Sequence, residues 1–189
     1  QLAKLLWAMD EVIESNHTLT NNYNQFLKSN LNSLIFGQKG YDSLKKTKIG
    51  ELPSSWDLGR LNDLCIKIGD GIHKTPKYVE NSEFLFVNGN NLIDNKIART
   101  DRTKCVSRSE FEKYNKKLLN GSILLSINGT IGNLAFYNGE NVVFGKSVAF
   151  MSVDEKQLDK HFLYYALQTE KIQNYFNREL TGSTISNLS

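Results

Sequence analysis

Residues 118–144, LLNGSILLSINGTIGNLAFYNGENVVF, set four glycines among apolar residues. Two architectures use glycine in this way. One is a loop between a strand and a helix, which cradles a phosphate at the helix N-terminus. The other is the set of corners of an antiparallel sheet. The alternation favours the second. Ile123, Leu125 and Ile127 fall on one face, and Ser122, Leu124 and Ser126 on the other. Asn128-Gly129 is a favoured hairpin dipeptide, TIGNLAFY follows as a second strand, and Asn138-Gly139 is a second such turn. NVVFGKSVAFMSV is then expected to complete a three-stranded meander. A strand follows the glycines where a phosphate loop would need a helix. The spacing of Gly121, Gly129 and Gly132 also fits neither the dinucleotide nor the P-loop pattern. No nucleotide cofactor is expected.

Catalytic patterns fail in the same way. GSILLS is not a G-x-S-x-G nucleophile elbow, and H-E-x-x-H does not occur. Asp70, Asp94 and Asp101 sit beside Gly, Asn or Arg in expected turns, where Asp serves structure. Cys65 and Cys105 form no C-x-x-C pair, and His17, His73 and His161 are scattered. The expectation is a non-catalytic chain with no metal and no cofactor.

Bulk composition sets the wider frame. Of 189 residues, 40% are hydrophobic and 23% charged, enough for a buried core in one domain with an appendage or in two small ones. No apolar run approaches the ~18 residues of a membrane span. The opening QLAKLLWAMDEVIE carries Asp10, Glu11 and Glu14, unlike a signal peptide. A reducing, cytoplasmic setting is expected. The net charge of +3 leaves a polyanionic partner open, because local patches outweigh totals.

Before residue 37 the period is helical. Leu2, Leu5, Met9, Val12, Leu19, Tyr23 and Phe26 follow steps of three and four, the seam of a coiled coil, with Asn16 on that seam. Gly37 is a natural stop. The pattern predicts an arm over residues 1–36, roughly 50 Å long at ~1.5 Å per residue. Its apolar face suits either the chain's own domain or a second helix. The second is favoured, since the face exceeds what a domain of ~140 residues readily covers. Residues 37–48 are expected to be a linker, and residues 49–189 a body of short strands and short helices. In that body RLNDLCIKIGDG suggests a strand ending in a turn at Gly69, Asp70 and Gly71. EFLFVNGNNL suggests a strand entering an Asn-rich turn. SRSEFEKYN suggests a short helix, with Ser107 and Glu110 spaced as a capping box. Near the end, Leu158, Phe162, Tyr165, Ile172 and Phe176 are expected to form the buried face of one or two helices. The fold class is α+β: a long coiled-coil-type helix joined to a mixed domain of mainly antiparallel strands and small helices.

Polar planar and basic residues gather where strands are expected to end. DGIHKTPKY offers Lys74, Thr75, Lys77 and Tyr78 along with His73. NGNNL offers Asn90 and Asn91. Residues 96–117 hold eight Lys or Arg against three Asp or Glu. Asn can read adenine, Arg can read guanine, and Lys and Thr can hold phosphates. Alternatively, such loops are plain turns and such runs solvated faces. Taken together, the surface favours double-stranded DNA.

These residues carry a resemblance. GELPSSWDLGRLNDLCIKIGDGIHKTPKY, FLFVNGNNLIDNKI, LLNGSILLSINGTIGNLAFY and HFLYYALQTEKIQNYFNRELTGSTISNLS, in that order, resemble the target recognition domain of Type I restriction-modification specificity (S) subunits. The opening QLAKLLWAMDEVIESNHTLTNNYNQFLKSNLNSLIFG resembles their long helix. The resemblance implies a non-catalytic subunit of a multisubunit DNA methyltransferase and restriction enzyme. Such subunits carry two recognition domains, each reading half of a split target, and two antiparallel helices that set the spacing. The helices hold modification subunits that use S-adenosylmethionine to methylate adenine, and restriction subunits add ATP-driven translocation and cleavage. One helix and one domain are half the usual content. The expectation is either a fragment or a half-subunit that dimerises. The helix seam, including Asn16, would then face a second helix from a homodimer partner or from the other half of a longer chain. Candidate DNA contacts are Lys74, Thr75, Lys77, Tyr78, Asn90, Asn91, Asn128, Thr130, Lys146, Ser183 and Thr184. Lys77 and Lys146 are expected on phosphates, and Asn90 and Asn91 on base edges. Competing readings are the recognition domain of a fused single-chain restriction-modification enzyme, a coiled-coil adaptor that binds protein, and a small enzyme with an unrecognised site.

Overall fold

A computed structural model describes residues 2–36, 40–180 and 187–188. The chain divides into two compact units at Trp56 and Asp57.

The first unit begins with α1 (Leu2–Ile35), a 34-residue helix about 51 Å long. Residues 2–35 contain neither Gly nor Pro, so nothing interrupts its hydrogen-bond ladder. Thr20 Oγ1 and Asn30 Nδ2 donate back to the carbonyls of Asn16 and Phe26, one turn earlier. None of the residues of α1 is buried. Gly37, the expected stop, lies outside the described residues. Within the stretch expected as a linker, the chain forms β1 (Leu44–Thr47), which pairs antiparallel with β2 (Gly50–Pro53). The turn between them closes through Thr47 Oγ1, which donates to the Gly50 carbonyl at 2.6 Å. Tyr41 packs edge-on against Trp56, with ring centroids 5.6 Å apart.

The second unit is layered. In chain order it contains α2 (Leu61–Leu64), β3 (Cys65–Asp70), β4 (Tyr78–Val79), β5 (Leu85–Val87), a 3-10 turn at Gly89–Asn91, β6 (Leu92–Ile93), β7 (Lys96–Ile97), β8 (Lys104–Val106) and α3 (Arg108–Tyr114). There follow β9 (Ile123–Asn128), β10 (Thr130–Phe136), β11 (Val142–Phe144), β12 (Val148–Val153), α4 (Lys160–Gln168) and α5 (Glu170–Glu179). One four-stranded sheet runs β10-β9-β12-β3 and is antiparallel throughout. A second runs β11-β5-β8-β4, with β11 parallel to β5.

The alternation read in residues 122–127 explains the layering. Ile123 and Leu125 join Met151, Val153, Leu163, Tyr164, Leu167 and Phe176 in one core, between the first sheet and helices α4 and α5. Leu124 points the other way and joins Val87, Val142, Phe144, Val148 and Phe150 between the two sheets. A third cluster of Phe84, Phe86, Val106 and Val143 lies under Phe111 and Tyr114 of α3. The central strand β9 is therefore apolar on both faces, and its serines need partners. Ser122 Oγ bonds to Ser152 Oγ at 2.7 Å, and Ser126 Oγ accepts from the Asn133 N–H at 2.8 Å.

Three expectations change. The meander does not form. Gly139, at φ +89°, makes the expected turn, but β11 crosses to the second sheet, and β12 occupies the other side of β9. A single run, VVFGKSV, thus serves two sheets, because burial on both sides of the first sheet rewards a strand in each. Tyr165 is 46% exposed; Leu163, Tyr164 and Leu167 supply the buried face of α4, together with the half-buried Phe162. The capping box on α3 is half formed. Ser107 accepts from the Glu110 N–H, while the Glu110 carboxylate accepts from the Lys77 N–H at 2.9 Å.

Candidate nucleic-acid interface

Four connections converge at one end of the second unit, and glycines permit their approach. A Cβ on Gly71 would stand 2.1 Å from the Gly145 carbonyl oxygen and 2.3 Å from that of Phe144. The loop after β3 therefore presses against the β11–β12 connection backbone to backbone. Ile72 N–H donates to the Phe144 carbonyl at 2.7 Å, and Gly71 N–H to the Val148 carbonyl at 3.0 Å. Gly89 also lies close to Ser126, where a Cβ would meet the Ser126 Cβ at 2.7 Å. Its N–H donates to Ser147 Oγ at 2.9 Å, and Ser147 Oγ donates to Asn88 Oδ1 at 3.0 Å. The fourth element is the β9–β10 turn. There Thr130 pairs with Asn128 across Gly129, whose φ of +76° suits glycine.

A cleft of about 310 Å³ opens among three of these loops, those after β3, β9 and β11, and is lined by Asp70, His73, Ile127, Asn128, Lys146, Asn187 and Leu188. Asn187 bridges to Asn128 backbone to backbone, and Asn128 Nδ2 donates to Asn187 Oδ1 at 3.1 Å. His73 Nε2 lies 2.7 Å from Asp70 Oδ2. Lys146 is exposed and makes no hydrogen bond or ion pair among the described residues. A free ammonium beside planar amides can hold a phosphate or reach a base edge.

The residues expected from the sequence divide as follows. Asn128 and Lys146 line this cleft, and Thr130 is exposed beside Asn128. Lys74 and Thr75 are exposed and follow His73 directly in the chain. Asn90 is exposed on the 3-10 turn. Lys77 is exposed, with its N–H on Glu110 of α3. Tyr78 lies on the edge strand β4, its ring 5.6 Å from Phe86, and burial pushes its phenol above the usual range. Ser183 and Thr184 lie outside the described residues.

Asn91 requires correction. It is 3% exposed, and its side chain is committed inside the fold. Its Oδ1 accepts from the Asn88 N–H at 3.0 Å; its Nδ2 donates to the Ala98 carbonyl at 3.0 Å and to Thr103 Oγ1 at 2.7 Å. A side chain so bound holds the loop together and cannot also read a base. Of the two neighbouring asparagines, only Asn90 faces solvent.

The sequence offers His73 beside Lys74, though not among the chosen contacts, Asp70 reads there as a structural turn residue, and Asn187 is not singled out. The only available signal was His73 three residues after Asp70 in a glycine turn, a spacing that brings their side chains together. Asn187 is 59 residues from Asn128, and no local pattern joins them. Among the described residues no group of three or more His, Cys, Asp or Glu could hold a metal ion. No helix among them is long and apolar enough to cross a membrane.

Comparison with known proteins identifies the family. The model of the Type I restriction modification DNA specificity domain matches residues 53–189. The chain belongs to this family. The Type I restriction enzyme MjaVIII specificity subunit of Methanocaldococcus jannaschii is 29% identical over 196 aligned positions, covering 96% of this chain and 43% of that protein. Among solved structures, the HsdS subunit from Thermoanaerobacter tengcongensis superposes with a TM-score of 0.56 at 18% identity, covering 97% of this chain and 43% of its own. A chain from a structure of the type I R-M system gives 0.50 at 18% identity, covering 89% and 41%. These structures share the fold of this chain. The chain spans less than half the length of the specificity subunits it matches.

Proposed function

We propose that this specificity domain reads one half of a split double-stranded DNA target with its loop end, and that α1 docks methyltransferase subunits. The observation that carries this reading is the gathering of three loops and the Asn187–Leu188 segment around a cleft rimmed by Lys146, a cation with no partner among the described residues. In a DNA specificity domain, such a rim supplies phosphate anchoring, while exposed Asn90 and Thr130 and half-buried Asn128 supply polar groups for base edges. The chain itself performs no chemistry; methyl transfer belongs to the partner subunits.

The arm supports a second part of this reading. Leu2, Leu5, Met9, Val12, Leu19, Tyr23 and Phe26 are 53–73% exposed along one face, with exposed Asn16 on the same row. A second helix, from another copy or from the other half of a longer chain, covers this seam and fixes the separation of two half-sites. Its length of about 51 Å corresponds to roughly 15 base-pair steps of ~3.4 Å. Removing seven residues from the arm shortens the preferred gap; an unchanged gap refutes the ruler.

Salt titration of duplex binding, followed by fluorescence anisotropy, tests the reading surface. Lys146→Ala is expected to weaken all duplexes alike and to reduce the slope of log K against log salt by about one. Equal affinity and slope for variant and parent overturn the assignment.

A further inference from the structure

The Asp70–His73 pair lies outside the hydrophobic cores. The two side chains are 41% and 67% exposed, neither packs in a core cluster, and they meet at 2.7 Å on the wall of the cleft that also holds Lys146 and Asn128. A long polar residue is usually left loose at such a place. Here a carboxylate fixes an imidazole.

The chemistry of that fixation is specific. A ring nitrogen bonded to a carboxylate carries its hydrogen, so Nε2 is the donor to Asp70 Oδ2. In the neutral ring the hydrogen is then absent from Nδ1, which becomes an acceptor. In the major groove, adenine N6 and cytosine N4 offer donors, whereas guanine N7 and O6 and thymine O4 are acceptors. An imidazole pinned in this tautomer complements the first pair and opposes the second.

We propose that His73 is a specificity-determining residue that accepts a hydrogen bond from an amino-bearing base, adenine or cytosine, with Asp70 as its positioning residue. This rests on the reading of the loop end as the DNA-binding surface. Lys146, on the same cleft, anchors the phosphate beside the base that is read. The backbone contact between Gly71 and Gly145 holds the two side chains in register.

The test is selection of bound duplexes from a randomised library by the full chain, alone and with the modification subunits of its own locus. If the unaltered chain selects no sequence in either form, the DNA-reading assignment itself falls. If it selects a motif, His73→Ala is expected to lose an adenine or cytosine preference at one position by about 3- to 10-fold, the other positions staying as they were. Asp70→Asn is expected to weaken that same preference or move it towards guanine or thymine, because an amide can turn its NH2 to Nε2 and send the ring hydrogen to Nδ1. An unaltered motif in His73→Ala overturns the inference. So does uniform weakening of every duplex, which marks a phosphate contact or a damaged fold. A motif in Asp70→Asn that is unaltered or uniformly weaker rejects the positioning role.

Discussion

Replacing Gly71 with Ala tests the contact that builds the loop end. The added Cβ would stand 2.1 and 2.3 Å from two carbonyl oxygens, whereas ordinary van der Waals contact is 3.4–4 Å. Both obstacles are backbone, so no rotamer change relieves them, and one segment must retreat by more than about 1 Å. The retreat breaks the Ile72 N–H bond to Phe144 and strains the Gly71 N–H bond to Val148, at about 1 kcal/mol each. Loosened packing around half-buried Ile72, which lies against the Phe84 cluster, adds about 1 kcal/mol. The expected loss is about 2–4 kcal/mol. Gly129→Ala is the control. Nothing lies within 4 Å of its Cβ position, so only the left-handed φ of +76° costs, at about 1–2 kcal/mol. Urea unfolding of both variants, at unchanged denaturant slope, gives the comparison. If Gly71→Ala costs no more than Gly129→Ala, the argument from close backbone approach is wrong. Gly71→Ala is also expected to weaken DNA binding under conditions where it remains folded, because the His73 loop then no longer abuts Lys146.

Neighbouring asparagines should separate cleanly. Asn91→Ala is expected to cost about 2–4 kcal/mol in urea unfolding by stranding the Asn88 N–H and the Ala98 carbonyl, whereas exposed Asn90→Ala stays within about 0.5 kcal/mol. Equal costs refute the division between a holding and a facing residue. Burial, with the neighbouring Tyr165 adding to it, pushes the Tyr164 phenol up to about 12. In the unfolded chain it ionises near 10, so the folded state holds the proton more tightly between those values. The stability from this group is full below pH 10 and is lost as pH rises through 12. Tyr164→Phe is expected to lower stability at neutral pH, since Asn95 Oδ1 loses its donor, and to flatten the decline between pH 10 and 12. An equally steep decline in the variant rejects burial of this phenol as its cause. Ser122→Ala is expected to cost about 1–3 kcal/mol, because Ser152 Oγ, 2% exposed, loses its partner in the sheet interior. A cost within error in thermal or urea unfolding removes that pair from the account.

Much of the second unit was legible because its signals are local. The period-two alternation of residues 122–127 assigned Ile123 and Leu125 to one face and Leu124 to the other, and the two cores divide them in that way. Ser107 capped α3 as its spacing implied, and the dipeptides Asn128-Gly129 and Asn138-Gly139 both turn with glycine at positive φ. Identical local chemistry misled at Asn91. A short polar side chain in a loop looks the same in sequence whether it faces solvent or holds the loop from within. Which of Asn90 and Asn91 turns inward depends on where Ala98 and Thr103 come to lie.

The sequence by itself determined the long unbroken helix, the two-faced strand β9, the glycine corners and the family. The first three are written in spacing that a reader can count along the chain, and the family in the resemblance of its ordered stretches. Tertiary structure alone decided that VVFGKSV divides between two sheets, and that Asp70, His73, Lys146 and Asn187 border one cleft. Those outcomes depend on partners distant in the chain. The strand β11 lies about 57 residues from its mate β5, and no local pattern carries that pairing energy. The physical reason lies in backbone packing: Gly71 lets the loop after β3 approach Phe144 and Gly145 more closely than any side chain allows, and the cleft opens beside that contact.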